Sequence, residues 1–367
     1  MTDPQQGNAP AGHLLTTPGL LCDFIAQNRS RAFGAGLDPF AYERVTGTLR
    51  DLLEWPAAFR AEGQRLVAAA EAYAGDGAGV SAGETFRAAA RWFHYAVLLP
   101  HPDRALAARA AAEADAAMGR ALALLDPGHI RVEEESYAGW LRTADGGDGR
   151  DGGDGGRSPS SLVIVVPGLD SSKEEFHDVT EALLRRGTAV FTMDGPGQGV
   201  RAATTVFEAD YQRVLSRVVD ALEERLGPVP VGVLGLSLGG YFAATGAAHE
   251  PRVRAAATVS GPYRLTGWDD TVPFVRATLA QRAGSPDAAR EFVRRVDLRG
   301  TAARIACPLL VVDGGEDVIP GVVNGAPLAA EAPRGAYLLV PHGDHLLGNA
   351  RADWLPRTAD WLTARLR

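Results

Sequence analysis

The pentad Gly235-Leu236-Ser237-Leu238-Gly239 holds the residue of this chain best suited to nucleophilic chemistry. An apolar run, Val231-Gly232-Val233-Leu234, precedes it, and a helix-compatible stretch, Gly240-Tyr241-Phe242-Ala243-Ala244, follows. A strand, a sharp turn and a helix with serine at the apex lift a hydroxyl out of the end of a sheet. The flanking glycines have a steric reason, because the serine backbone is strained there and larger neighbours would strike the adjoining strand and helix. A serine hydroxyl is a weak nucleophile. It needs a base, a group that orients the base, and donors for the oxyanion that develops on a carbonyl substrate.

Histidines after Ser237 are His249, His342 and His345. His249 falls in the helix behind the serine and reads as surface. His342 and His345 lie in Pro341-His342-Gly343-Asp344-His345, directly after the last apolar run, Tyr337 to Val340. His345 is the expected base, because the loop needs a few residues to turn back over Ser237; His342 is the alternative. The acids stand in Val312-Asp313-Gly314-Gly315-Glu316-Asp317. Asp313 ends a strand and can turn into the core. Asp317, beyond the glycines, is the expected orienter, Asp313 is the runner-up, and Glu316 reads as solvated charge. The expected oxyanion donors are the Leu238 N–H and an N–H of the turn Pro167-Gly168-Leu169-Asp170, from Leu169 or from Asp170. Asp194-Gly195-Pro196-Gly197-Gln198-Gly199 is glycine-rich, but Pro196 lacks an N–H and no Lys-Ser/Thr follows, so it reads as a tight rim loop and not a phosphate cradle.

The elements that must hold these groups alternate from Ile130 onward. A leading hairpin, Ile130 to Ser136 and Tyr137 to Thr143, is followed by short buried-strand runs. These are Leu162 to Val166, Ala189 to Met193, Val231 to Leu234, Ala255 to Val259, Leu309 to Val312 and Tyr337 to Val340. Near-continuous apolar strands separated by helices predict a mostly parallel sheet covered on both faces, a three-layer α/β sandwich. Upstream, about Pro39 to Leu125 is Ala-, Leu-, Arg- and Glu-rich with helical apolar spacing, starting at Leu49, Leu52, Leu53, Phe59 and Leu66. Ser81-Ala82-Gly83-Glu84 and Ser172-Lys173-Glu174-Glu175 have capping-box spacing and predict helix starts. The expected division is a helical N-terminal cap domain at 1–127 and a core at 128–367, with a smaller cap insertion at about 261–300. Trp92, Phe93, Tyr95 and Trp268 are candidate walls of an apolar pocket above Ser237.

The bulk composition is that of an ordinary globular chain: 367 residues, 46% hydrophobic and 22% charged. A net charge of −8 argues against nucleic acid or an anionic membrane as partner. Cys22 and Cys307 are too few for a disulfide framework. The polar start Met1-Thr2-Asp3-Pro4-Gln5-Gln6 is unlike a signal peptide, and no run of about eighteen apolar residues occurs, so a cytoplasmic protein is expected. The Asp/Gly run from Gly146 to Gly156 lacks the alternating apolar position of calcium-binding repeats and reads as a flexible loop. The expectation is a small-molecule substrate, with no metal or cofactor; a homodimer is compatible with the sequence.

Together, Gly168-Leu169-Asp170, Asp194 to Gly199, the Ser237 pentad, Gly315-Glu316-Asp317 and Gly343-Asp344-His345 resemble the α/β-hydrolase superfamily. The helical N-terminal part and Leu169-Asp170-Ser171-Ser172-Lys173-Glu174-Glu175 resemble a narrower branch. That branch contains 2,6-dihydroxypseudooxynicotine hydrolase, fungal polyketide-shortening hydrolases and FrsA-type esterases. The resemblance implies a helical cap over the site and cleavage of esters or of C–C bonds beside carbonyls. It also points to substrate contact by Asp170 and, beyond the strand after the nucleophile helix, by Trp268, Asp269 or Asp270. Esterase-like lyases that eliminate acetate in spirotetronate and spirotetramate biosynthesis are similar too. Hydrolysis of a secondary-metabolite substrate is the leading expectation, acetate elimination at the same site the second, and a non-catalytic binding protein the third.

Overall fold

The computed structural model describes residues 14–144 and 159–367. The Asp/Gly run and the polar start therefore lie outside the described residues. The helical part comprises α1 (Leu20–Gly34), α2 (Pro39–Thr46), α3 (Trp55–Gly75), α4 (Gly79–Tyr95) and α5 (Arg104–Leu125). Local chemistry sets several of its boundaries. The Asp38 side chain accepts from Ala41 N at the start of α2, with Pro39 in the first turn, and Asp103 accepts from Leu106 N at the start of α5.

Three local expectations need correction. Ser81 lies inside the first turn of α4, which starts at Gly79 after Ala78 without a side-chain cap. The Ser172 to Glu175 stretch opens no helix, because its side chains are engaged in a buried polar junction; the helix that follows begins at His177. Leu49, Leu52 and Leu53 sit in the turns between α2 and α3, where Leu52 is buried without helical geometry.

A hairpin of β1 (Ile130–Glu134) and β2 (Tyr137–Arg142) leads into β3 (Leu162–Val166), α6 (His177–Leu184) and β4 (Ala189–Asp194). Then come α7 (Tyr211–Leu226), β5 (Val231–Leu236), α8 (Leu238–His249) and β6 (Val253–Val259). A small excursion follows, made of β7 (Arg264–Leu265), α9 (Pro273–Ala283) and α10 (Pro286–Arg295). The chain closes with β8 (Leu309–Gly314), β9 (Val322–Val323), α11 (Ala326–Glu331), β10 (Gly335–Val340) and α12 (Arg351–Arg365). The main sheet has strand order β1-β2-β4-β3-β5-β6-β8-β10, and from β4 to β10 every pairing is parallel.

Successive residues of β3 serve opposite faces. Leu162, Ile164 and Val166 pack with α7 and α8 residues such as Val214, Val218 and Phe242. Val163 and Val165 pack with Val179 and Leu183 of α6 and Trp354 and Leu362 of α12. Both faces being apolar explains why the strands read as unbroken hydrophobic runs. The chain steps from β3 to β4 on one side and then to β5 on the other, so a crevice opens beyond the carboxyl ends of β3 and β5. The Ser237 turn and the Gly168 turn both lie there. The helical part packs on two further clusters, around Trp55, Phe59 and Trp92 and around Phe86 and Phe93, the second of which also takes in Trp140 of β2. No described helix is long and apolar enough to cross a membrane.

Candidate active site

Ser237 occupies the step from β5 to α8 with φ 54° and ψ −130°, a conformation costly for a residue with a Cβ. Packing holds it there. The Ser237 N–H donates to Val259 O at 2.8 Å, and a Cβ on Gly235 would stand 2.0 Å from Gly239 O. His345 Nε2 lies 2.9 Å from Ser237 Oγ, and His345 Nδ1 lies 2.9 and 3.0 Å from the two Asp317 oxygens. Asp317 is buried, whereas about a third of the His345 side chain is exposed. An ionised carboxylate only accepts, so Nδ1 carries the proton toward Asp317 and Nε2 is free to accept from the Ser237 hydroxyl.

The loops beneath this chain of hydrogen bonds are interlocked. Gly315 N donates to Val340 O and Glu316 N to Gly343 O, which fixes the acid loop against the histidine loop. Asn324 Nδ2 donates to Asp317 O at 2.7 Å. Ser260, itself at φ 52°, accepts from Leu346 N at 3.0 Å through its buried hydroxyl. Asn349 closes the other side, accepting from Asp344 N and donating to His342 O. None of Ser260, Asn324 and Asn349 belongs to a recognisable motif, and only the fold reveals them.

The alternatives are placed elsewhere. His342 is exposed and pairs with Asp353 at 3.3 Å. His249 bonds its own helix at Thr245 O. Asp313 turns inward, where its Oδ2 accepts from Gly325 N and the Tyr337 hydroxyl. Burial, assisted by the nearby Asp317 charge, pushes its pKa up to about 6.

The Leu238 N–H opens α8 and the Leu169 N–H lies in the turn after β3; neither has a hydrogen-bond partner among the described residues. A Cβ on Gly168 would lie 2.8 Å from Ser237 Cβ and 3.2 Å from Ser237 Oγ, so only glycine lets this turn approach the serine. Gln198 holds the turn. Its buried Nε2 donates to Pro167 O at 2.6 Å and to Gly168 O at 3.0 Å, while its Oε1 accepts from Gly195 N and the Tyr211 hydroxyl. A trans peptide directs C=O and N–H to opposite sides. With the Gly168 carbonyl bound to Gln198, the Leu169 N–H is turned away from Gln198.

Asp170 does not stand free. Arg31 of α1 donates to it at 3.1 Å and forks onto Glu175 at 2.6 and 2.9 Å. Arg31 holds the Glu175 carboxyl well below the usual carboxylate range despite burial. His94 of α4 adds 3.0 Å to Glu175 and 2.9 Å to Ser172 Oγ, and Ser172 lies 2.7 Å from Glu174 Oε2. Ser172 donates to Glu174 Oε2, and Glu174 Oε1 meets Lys173 Nζ at 2.7 Å. Burial raises the Glu174 pKa. Lys173, fully buried, reaches Asp115 of α5 and Asp194 at 2.8 and 2.7 Å. This junction binds α1, α4 and α5 to the turn after β3.

Trp268 packs on the sheet's main cluster, with Arg290 over its ring at 5.3 Å. Asp269 and Asp270 are exposed, and Asp270 accepts from Thr266 Oγ1. Neither approaches the Ser237, His345 and Asp317 group through any contact among the described residues. Trp92, Phe93 and Tyr95 are buried in the packing of the helical part. The described residues contain no group of three or more His, Cys, Asp or Glu side chains arranged to hold a metal.

The sheet order, the strained serine at the β5–α8 step and the two turns beside it define an α/β-hydrolase fold. A family model described as serine aminopeptidase, S33 (Hydrolase_4) matches residues 157–285. The chain is 33% identical over 210 residues to 2,6-dihydropseudooxynicotine hydrolase of Paenarthrobacter nicotinovorans, covering 56% of this chain and 57% of that protein. It is 31% identical over 256 residues to hydrolase acrC of Aspergillus aculeatus, covering 61% and 56%. The chain thus spans a little over half the length of these curated relatives. Among solved structures, 2,6-dihydroxy-pseudo-oxynicotine hydrolase superposes with a TM-score of 0.78 at 27% identity over 92% of this chain and 95% of its own. AbyA5 superposes with a TM-score of 0.63 at 22% identity over 88% and 91%, a likeness of fold. The chain has the α/β-hydrolase fold and is similar over most of its length to the structure of the pseudooxynicotine hydrolase.

Proposed function

We propose that this chain hydrolyses an ester, or a C–C bond beside a carbonyl, in a small secondary-metabolite substrate, with Ser237 as nucleophile, His345 as base and Asp317 as its orienter. The observation that carries this reading is the continuous hydrogen-bonded chain from Asp317 through His345 to Ser237, at 2.9 Å on either side of the imidazole. Ser237 Oγ attacks the carbonyl carbon while its proton passes to His345 Nε2. The Leu238 and Leu169 N–H groups receive the oxyanion, aided by the positive end of α8. Collapse expels the alkoxide or carbanion, which takes the proton from His345. Water, deprotonated by the same nitrogen, then cleaves the acyl-enzyme and releases the acid. Gln198 serves as the positioning residue for the Leu169 donor. The helical part and the 261–300 excursion form the lid over the crevice, in keeping with a cap domain at 1–127 and a core at 128–367.

A fluorophosphonate probe tests the reading directly. It is expected to label the wild type at Ser237 and to leave Ser237→Ala unlabelled. An inert Ser237 would favour a binding role. Hydrolysis of an acetate ester in 18O-water is expected to place label in the released acetate; unlabelled acetate would mean elimination at the same site.

A further inference from the structure

Arg282 is a half-buried cation near this site that forms no ion pair among the described residues. It lies in the last turn of α9. The residue keeps partial access to solvent. Its contacts are two carbonyl oxygens, Gly197 O from Nη1 at 3.3 Å and Val97 O from Nη2 at 3.4 Å. A guanidinium carries five N–H donors, so most of its capacity is left over. Burial pulls its pKa below the ordinary arginine value, opposed by the nearby charges of Asp170 and Asp194.

Those two carboxylates are already engaged. Asp170 is held by Arg31 at 3.1 Å and Asp194 by Lys173 at 2.7 Å. A buried charge left without an anion is costly unless something else supplies one. Arg31 shows the contrast within the same molecule: it forks onto Glu175 and also meets Asp170.

The place of Arg282 ties it to the site. Gly197, which accepts from it, precedes Gln198, and Gln198 holds the Pro167-Gly168 turn against Ser237. Its other partner, Val97, follows the end of α4, so the guanidinium sits where the core rim, the excursion and the helical part meet. We propose that Arg282 is a substrate-binding residue that receives a carboxylate group on the substrate, so that the enzyme favours anionic acyl substrates. The proposal deepens the hydrolase reading and rests on it. A planar guanidinium with free donors matches a carboxylate in charge and in geometry.

The test compares mono-4-nitrophenyl succinate, glutarate and adipate with their neutral methyl esters, in wild type, Arg282→Gln and Arg282→Lys. Wild type is expected to favour the free acid at one chain length or more by about tenfold or more in kcat/KM, mainly through KM. Arg282→Gln should erase that preference, and its rate on the neutral ester should fall by less than about threefold. Arg282→Lys, which keeps the charge and loses the fork, should retain part of it. No preference in wild type at any length, or a preference that survives in Arg282→Gln, overturns the proposal. If wild type cleaves no ester, the hydrolase reading has failed. Calorimetric titration of glutarate and adipate then decides the site alone: binding lost about tenfold in Arg282→Gln supports it, and no wild-type binding overturns it. If Arg282→Gln does not fold, the same comparisons are read on Arg282→Lys, where an undiminished preference, or undiminished binding, counts against the assignment.

Discussion

Asp317 and Glu175 are both buried carboxylates that bind an imidazole, and each imidazole binds a serine. One chain runs Asp317–His345–Ser237, the other Glu175–His94–Ser172, with matching distances of 2.9 to 3.0 Å. The surroundings separate them. His345 is about one-third exposed, Ser237 is followed by an unengaged N–H, and the Gly168 turn lies against it. His94 is fully enclosed, Glu175 is neutralised by the fork of Arg31, and Ser172 is shared with Glu174. Acid, imidazole and hydroxyl in line do not make a reactive serine. Access and spare donors set the Ser237 chain apart, whereas the enclosed network joins one part of the fold to another.

The largest effect that can break this comparison comes from the two serines. Ser237→Ala should lower kcat on a 4-nitrophenyl ester by about 10⁴-fold or more. Ser172→Ala should leave kcat within about threefold and lower the melting temperature, because His94 and Glu174 lose a buried partner. Equal losses of activity in both variants would erase the distinction. The next effect concerns the donor turn. Gln198→Met keeps bulk but releases the Pro167 and Gly168 carbonyls, so the Leu169 N–H loses its orientation. A fall in kcat of about a hundredfold with KM little changed is expected from steady-state kinetics; a change confined to KM would remove Gln198 from the positioning of the donor.

The closed network is sharpened by a third variant. Glu175→Gln removes the carboxylate of the Arg31 fork and leaves the one-to-one pair of Arg31 with Asp170. Unfolding in denaturant should show a loss of about 1.5 to 3 kcal/mol, with kcat of the folded fraction nearly kept. A loss below about 1 kcal/mol would mean that this junction does not hold α1 and α4 to the core.

Much of the open site was legible because its residues carry local signals. Ser237 needs glycines around a strained turn, and His345 and Asp317 follow apolar strand runs at the edge where such groups must emerge. The closed network was not legible. Ser172 to Glu175 has the spacing of a helix cap, but the Arg31 and His94 that claim its side chains lie far back in the chain, and no local pattern announces them. Helix α1 was missed for a related reason: Gly19 precedes it at φ 84° with no side-chain cap, and few of its residues are buried. Leu49 to Leu53 misled because burial in a turn needs no period. Gln198 stands in a glycine-rich loop, but its bonds to Pro167 and Gly168 depend on β3 and β4 being neighbours.

The smallest effect separates Asp317 from Asp313, the other aspartate at the end of β8. Asp313 is held near pKa 6, above its ordinary value of 3.8, by burial first and then by the Asp317 charge. A carboxyl with a raised native pKa binds its proton more tightly when folded. The stability this contributes is complete below about pH 4 and is lost as pH rises through about 6. Asp313→Asn stays neutral and can still accept from Gly325 N and Tyr337. Its stability relative to wild type should therefore grow by about 1 to 3 kcal/mol between pH 4 and pH 7, read from denaturant midpoints along that range. Its kcat should stay within about tenfold of wild type, because the group that orients His345 Nδ1 is untouched. An orienting aspartate replaced by asparagine costs about 10⁴-fold. A loss of that size in Asp313→Asn, with a smaller one in Asp317→Asn, would transfer the orienting role to Asp313 and break the assignment of the open site at its acid.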